Sequence, residues 1–172
     1  MIIGIDIDDT ITKTTELYKE IASKEYPKYK GKIPDGKYTE FREKYGEYIR
    51  KNVLLKEDVL EVLNYIKSKG HQIYIVTLRG IDGEYIIEET KSYLKENKIP
   101  YDKIIGRAIN KGKVAKENNI DLFIEDRSVV IKDLIKYKIP YIKMYKKGDI
   151  NFPYTVAKNW KQILKMLKER NI

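Results

Sequence analysis

Short apolar runs alternate with segments of helical periodicity along most of the chain. The first run, Ile2-Ile-Gly-Ile5, reads as a buried strand that ends in Asp6, Asp8 and Asp9. Residues 13 to 55 have a different texture, interleaving lysine, glutamate and tyrosine with no strand-like stretch. Helices are predicted there over 15–26 and 39–50, joined by a turn over 30–36 that carries two glycines and a proline. From Lys56 the pattern becomes regular. Val59, Leu60, Leu63 and Ile66 repeat at helical spacing until Gly70 stops them, and 72–77 (QIYIVT) is the second strand. A helix is predicted over 85–97, its apolar face formed by Ile86, Ile87, Thr90, Tyr93 and Leu94, and 103–106 is a short third strand. A short helix over 111–119 precedes a fourth strand, 121–126, which again ends in two carboxylates. A helix over 128–137 turns Val130, Ile131, Leu134 and Ile135 inward, and 141–144 is the fifth strand. The last helix is predicted over 155–170, with Trp160, Ile163, Leu164 and Leu167 as its apolar stripe and lysines 158, 161, 165 and 168 opposite.

Strands alternating with helices specify an α/β fold, a three-layer doubly wound parallel sheet. The segment 13–55 interrupts this alternation as an inserted helical hairpin, so 1–12 and 56–172 form the core and 13–55 a small helical unit. Its tyrosines, Tyr18, Tyr26, Tyr29, Tyr38, Tyr45 and Tyr48, are expected mainly to pack the hairpin. Lys-Ile-Pro-Tyr occurs at both 98–101 and 138–141, each time between a helix and a strand, which marks equivalent connections.

The 172 residues suit one domain with a full core. The absence of cysteine removes disulfides and thiolate metal sites, and the single His71, placed in a turn after Gly70, cannot build a histidine-rich one. No apolar stretch approaches a membrane span and the first residues carry no basic region, so a cytoplasmic protein without a membrane partner is expected. The net charge of +9 is spread as lysines over every helix, a pattern of solvated faces more than of a nucleic-acid surface.

Period-two alternation starts Asp6 and Asp8 from one face and sends Asp9 away. Two carboxylates so close are tolerable with a cation, a shared proton or solvent between them. They suit metal-assisted transfer, one as nucleophile or metal ligand and the other as acid and base. In a doubly wound sheet the ends of strands one, two and four lie side by side, so Asp6 and Asp8, Thr77, and Glu125 and Asp126 converge.

These residues, Asp6-Ile-Asp-Asp-Thr10, Thr77 at a strand end, a lysine before the fourth strand and Glu125-Asp126 after it, resemble the four motifs of the haloacid dehalogenase-like phosphohydrolases. The resemblance implies that Asp6 attacks phosphorus and that Asp8 protonates the leaving oxygen and later activates water. It implies Mg²⁺ held by Asp6, the Asp8 carbonyl and Asp126, with Glu125 supporting them. Thr77 then binds a phosphoryl oxygen, as Thr10 at the end of the first motif is expected to do, and a lysine balances the charge. Lys111, followed by Gly112 at a helix start, fits that setting better than Lys113, because residues two apart do not share a helix face. Asp9 stands where many members have a small residue; it either caps the next turn or faces the substrate. The hairpin at 13–55 resembles the inserted cap of the 5′-nucleotidase branch, as do Thr77-Leu-Arg79, Ile99-Pro-Tyr-Asp-Lys103 and the segment 120–126. Arg79 is placed either on the substrate phosphate or on an acidic neighbour.

The expected substrate is a small phosphorylated molecule, a nucleoside monophosphate first and a sugar phosphate second. A phosphoacceptor signalling domain shares the acidic cluster, threonine and lysine, but places its acceptor aspartate after strand three, where this chain has Gly106-Arg107. A noncatalytic nucleic-acid-binding protein is the remaining alternative, and weak, strongly salt-dependent binding is its mark.

Overall fold

The computed structural model describes residues 1–146 and 155–172. Its strands are β1 (Ile2–Ile5), β2 (Gln72–Val76), β3 (Lys103–Ile105), β4 (Leu122–Glu125), β5 (Tyr141–Met144) and β6 (Val156–Ala157). They form one six-stranded sheet in the order β3-β2-β1-β4-β5-β6, every pair parallel. Strand β1 lies between β2 and β4, with Ile5 in register with Ile75 on one side and Ile124 on the other. Asp6, one residue past Ile5, and Thr77 and Asp126, two residues past Ile75 and Ile124, therefore leave the sheet along the same edge.

Alternation along the strands builds two cores. Ile3 and Ile5 join Ile73, Ile75, Leu122, Ile124, Ile142 and Met144 beneath α3 (Val59–Ser68), α4 (Tyr85–Glu96) and α7 (Trp160–Glu169). On the opposite face Phe123 and Val76 pack under α5 (Lys111–Glu117) and α6 (Ser128–Lys136). Gly4 looks toward that second face, where a Cβ would stand 2.8 Å from the Phe123 ring, so the central strand carries glycine to admit it. Sheet and two helical layers give the expected doubly wound α/β architecture. Among the described residues no helix is long and apolar enough to cross a membrane.

Between β1 and α3 the chain forms α1 (Thr14–Glu25), a 3-10 turn (Pro27–Tyr29) and α2 (Tyr38–Asn52). This hairpin has its own core of Ile21, Ala22, Phe41 and Ile49. Phe41 is ringed by Tyr45, Tyr18 and Tyr26 at centroid distances of 4.9, 5.7 and 6.2 Å, whereas Tyr29, Tyr38 and Tyr48 are exposed. The chain leaves and returns at one place, where Thr12 bridges Leu55 and the amides of Lys13 and Lys56 donate to the carbonyls of Leu54 and Ile11, each at 2.8 Å. The hairpin rests on α4 through Arg50 Nε and Glu89 Oε2 at 2.8 Å, and the Tyr93 hydroxyl donates to the Val53 carbonyl at 2.7 Å.

Two expectations need correction. The helix predicted from residue 155 begins at Trp160, because Asn159 caps it by accepting from the Gln162 amide at 3.0 Å. Val156 and Ala157 pair instead with Lys143 and Met144 as the edge strand β6. Ile135, expected to face inward, lies one position off the buried stripe of Val130, Ile131 and Leu134 and is 44% exposed. Of the core segment 56–172, residues 147–154 lie outside the described residues.

Candidate active site

Strand β1 runs on to Asp6, whose amide donates to the Ile124 carbonyl at 3.1 Å and whose side chain is buried. Lys111, the first residue of α5, reaches it from the second face. The Lys111 ammonium is paired with Asp6 Oδ1 and lies 2.8 Å from Glu125 Oε2. Gly112 allows that approach, since a Cβ there would press to 2.6 Å of the Asp133 carbonyl oxygen on α6. The other oxygen of Glu125 accepts from the amides of Asp126 and Arg127, at 3.1 and 3.0 Å, and so shapes the turn that presents Asp126.

Asp6, Glu125 and Asp126 each offer a carboxylate oxygen, all within 4.8 Å of one another and all buried. Thr10 spans two of them, its hydroxyl 3.4 Å from Asp6 Oδ2 and 3.3 Å from Asp126 Oδ1. Hard oxygen donors at this spacing fit a divalent cation such as magnesium. Basic groups surround the acids. The Lys143 ammonium, fully buried on β5, donates to the Asp126 carbonyl at 2.9 Å, and Lys146 pairs with the Asp126 carboxylate and, at 3.1 Å, with Asp9.

Burial is the largest influence on Asp6 and pushes its carboxyl up to about 6; the charge of Lys111 opposes this and those of Asp8 and Asp126 add to it. Burial likewise raises Glu125, helped by the charge on Asp6 and opposed by Lys111. Lys111 is desolvated too, but its two carboxylate partners outweigh that and raise its pKa.

Asp8 lies apart from this cluster and is clamped by Arg79, Nε to Oδ2 at 3.0 Å and Nη2 to Oδ1 at 2.7 Å, with the Thr14 hydroxyl donating to Oδ1 at 2.8 Å. Burial works to raise the Asp8 carboxyl, yet Arg79 and Thr14 together hold it below the usual value. The third guanidinium nitrogen, Arg79 Nη1, is buried without a hydrogen-bond partner. Thr77 is buried at the end of β2, its hydroxyl oxygen accepting from the Arg79 amide at 3.2 Å, which leaves the hydroxyl hydrogen free to donate.

Asp9 has φ at +62°, a backbone region that aspartate tolerates better than most residues. Its carboxylate accepts from the Thr15 amide at 2.7 Å and from the Thr15 hydroxyl, capping the start of α1. Lys113 is on the surface, 3.7 Å from Glu117, and is not brought to the cluster. The structure thus gathers Asp6, Thr10, Lys111, Glu125 and Asp126 into one group and Asp8, Thr77 and Arg79 into a second beside it.

Three contributors escape the sequence pattern. Trp160, read only as part of a stripe, donates from Nε1 to the Thr10 carbonyl at 3.0 Å and fixes the loop between Asp6 and the hairpin. Lys143 had a signal, a lysine inside an otherwise apolar strand, which must find a partner when buried. Thr14 follows the acidic motif within a run of hydroxyl residues. A cleft of about 510 Å³ opens between Asp8, Asp9 and Arg79 on one side and the hairpin on the other, where Tyr18, Tyr38, Arg42 and Gly46 face it.

No family model matches the chain. A nucleotidase from Clostridium acetobutylicum is 32% identical over 158 residues, covering 83% of this chain and 80% of that protein. Among solved structures, a HAD-superfamily hydrolase from Ehrlichia chaffeensis superposes with a TM-score of 0.64 at 16% identity, over 99% of this chain and 97% of its own. A haloacid dehalogenase-like family protein from Streptococcus pneumoniae gives 0.69 at 13% identity, over 96% and 97%. The relative's identity and coverage, the shared fold and the motif residues gathered at one sheet edge agree: the chain belongs to the haloacid dehalogenase-like phosphohydrolases.

Proposed function

We propose that this protein is a Mg²⁺-dependent phosphomonoesterase that hydrolyses a nucleoside monophosphate through a phosphoryl group carried on Asp6. The observation that carries this reading is the placement of Asp6, held between Lys111 and Thr10 beside Asp126, two residues before Asp8, which lines a cleft large enough for a leaving group. The nucleotidase relative supports the substrate class.

Asp6, Asp126 and the Asp8 backbone carbonyl are the groups that would hold the metal. Bound there, Mg²⁺ lets a carboxylate approach an anionic phosphate and stabilises charge on the transferring group. Glu125 supports these groups, one oxygen on Lys111 and the other on the amides of the β4–α6 turn. An Asp6 oxygen attacks phosphorus, the bond from phosphorus to the leaving oxygen breaks, and Asp8 gives its proton to that oxygen. Water then attacks the phosphoryl group, Asp8 takes the proton back, and phosphate leaves with Asp6 restored.

Asp8 must be protonated for the first step, and its pairing with Arg79 favours the ionised form. The incoming phosphate competes for Arg79, whose buried Nη1 has no partner of its own. Drawing the guanidinium toward phosphate releases Asp8 to hold a proton, so substrate binding prepares its own acid. The Thr77 hydroxyl donates to a second phosphoryl oxygen. Residues 13–55 act as the cap that covers the leaving group.

The test is phosphate release from nucleoside monophosphates, deoxynucleotides and sugar phosphates, with Mg²⁺ and with chelator, using Asp6→Asn as the blank. Metal-dependent release from nucleotides that the variant loses is expected. Release confined to sugar phosphates would keep the chemistry and change the substrate; no release from any compound would overturn the reading.

A further inference from the structure

Gly46 sits inside α2, where glycine is a poorer choice than alanine because it loses more backbone freedom on folding. At Gly4 and Gly112 glycine has a packing reason, since a Cβ would meet the Phe123 ring at the first and the Asp133 backbone at the second. At Gly46 it would meet only the guanidinium end of Arg50, at 3.0 Å, a flexible group that can give. Gly46 is nonetheless buried, and the space in front of it is the cleft that leads to Asp8 and Arg79. A buried helix position covered only by a guanidinium end that can give is a floor awaiting a ligand.

We infer that Gly46 is a specificity-determining residue, its missing side chain forming the bed on which a bulky, uncharged leaving group lies during phosphoryl transfer. The inference rests on the phosphomonoesterase reading and adds to it the shape and charge of the alcohol. Shape follows from the surrounding side chains, with Tyr18, Tyr38 and Ile49 on the hairpin and Ile81 and Ile86 facing them. Charge follows from pairing. Arg42 is matched with Asp82, Arg50 with Glu89 and Arg79 with Asp8, so among the described residues the walls hold no unbalanced cation for a second phosphate. Arg79 alone stands where the transferred phosphate arrives; the other two pairs flank the leaving group.

The test compares wild type, Gly46→Ala and Gly46→Leu on nucleoside monophosphates and on glycerol phosphate, with thermal unfolding of each protein. Wild type is expected to prefer the nucleotide. Gly46→Ala is expected to melt no lower than wild type, since alanine favours the helix. Its kcat/KM on nucleotides is expected to fall roughly tenfold, the effect of a methylene in a close-fitting pocket, mainly through KM. Gly46→Leu should lose more on nucleotides while hydrolysis of glycerol phosphate stays within about twofold, because the transfer step is untouched. Equal losses on small and bulky substrates, unchanged nucleotide kinetics in Gly46→Leu, or a wild type indifferent to leaving-group size would each overturn the inference. Absence of metal-dependent release from every substrate would instead strike the phosphomonoesterase reading beneath it.

Discussion

The Arg79 guanidinium grips the Asp8 carboxylate through two parallel hydrogen bonds, Nε to Oδ2 at 3.0 Å and Nη2 to Oδ1 at 2.7 Å. A fork of this geometry is among the stronger pairings available to a carboxylate. It sets the resting state of the acid that the proposed reaction needs, and it joins residues far apart in sequence on neighbouring strand ends.

Replacing Arg79 by alanine removes the group that holds Asp8 down, so the Asp8 carboxyl rises. The change is read by carbon NMR of the labelled aspartate. Turnover falls by about a hundredfold despite the better-protonated acid, because the phosphate loses its orienting guanidinium. An Asp8 titration unmoved in Arg79→Ala would show that the fork does not control it.

Lys111 is the buried counter-charge for two carboxylates, and taking it away strands both. Lys111→Met is expected to cost about 3–5 kcal/mol in urea unfolding at neutral pH, the penalty for breaking a buried ion pair from one side. Adding Mg²⁺ should recover part of the loss. A variant within about 1 kcal/mol of wild type would mean that solvent already screens the pair.

The raised carboxyls of Asp6 and Glu125 give the metal-free protein an inverted pH dependence. Each has a folded pKa above its unfolded value, 3.8 rising to about 6 for Asp6 and 4.5 to about 8 for Glu125. Their contribution to stability is full below the unfolded values and is lost as pH rises through the folded ones. The melting temperature without metal is therefore expected to fall between about pH 4 and pH 8, and the rise caused by Mg²⁺ to be larger at the higher pH, where no proton must be expelled. A Mg²⁺ effect that shrinks with rising pH would contradict this.

Much of this arrangement is legible from residue order. The apolar run before Asp6 and the one before Glu125-Asp126 read as strands because they are short and buried on both faces. The doubly wound pattern then brings their ends together. The Arg79 pairing is not legible, since Asp8 and the substrate are equally plausible partners for a guanidinium and only the fold decides. Trp160 and Thr10 are 150 residues apart. Nothing local to Trp160 distinguishes an indole that packs from one that also braces a loop. Strand β6 is two residues long, too short for period two to register, and the lysines around it read as the start of the helix.

Trp160→Phe keeps the packing of α7 and removes the bond to the Thr10 carbonyl. The buried carbonyl left unsatisfied is expected to cost about 1–3 kcal/mol, and the loosened Thr10 should lower kcat more than it raises KM. Stability lost with kcat intact would confine Trp160 to the core.

The central claim is that Asp6 carries the phosphoryl group. Acid quenching during turnover of a nucleoside monophosphate, followed by mass spectrometry of the digested protein, tests it most directly. A phosphoryl adduct on the peptide containing Asp6, present with Mg²⁺ and absent from Asp6→Asn, is the expected result. Undiminished phosphate release by Asp6→Asn, or an adduct mapping to another residue, would contradict it.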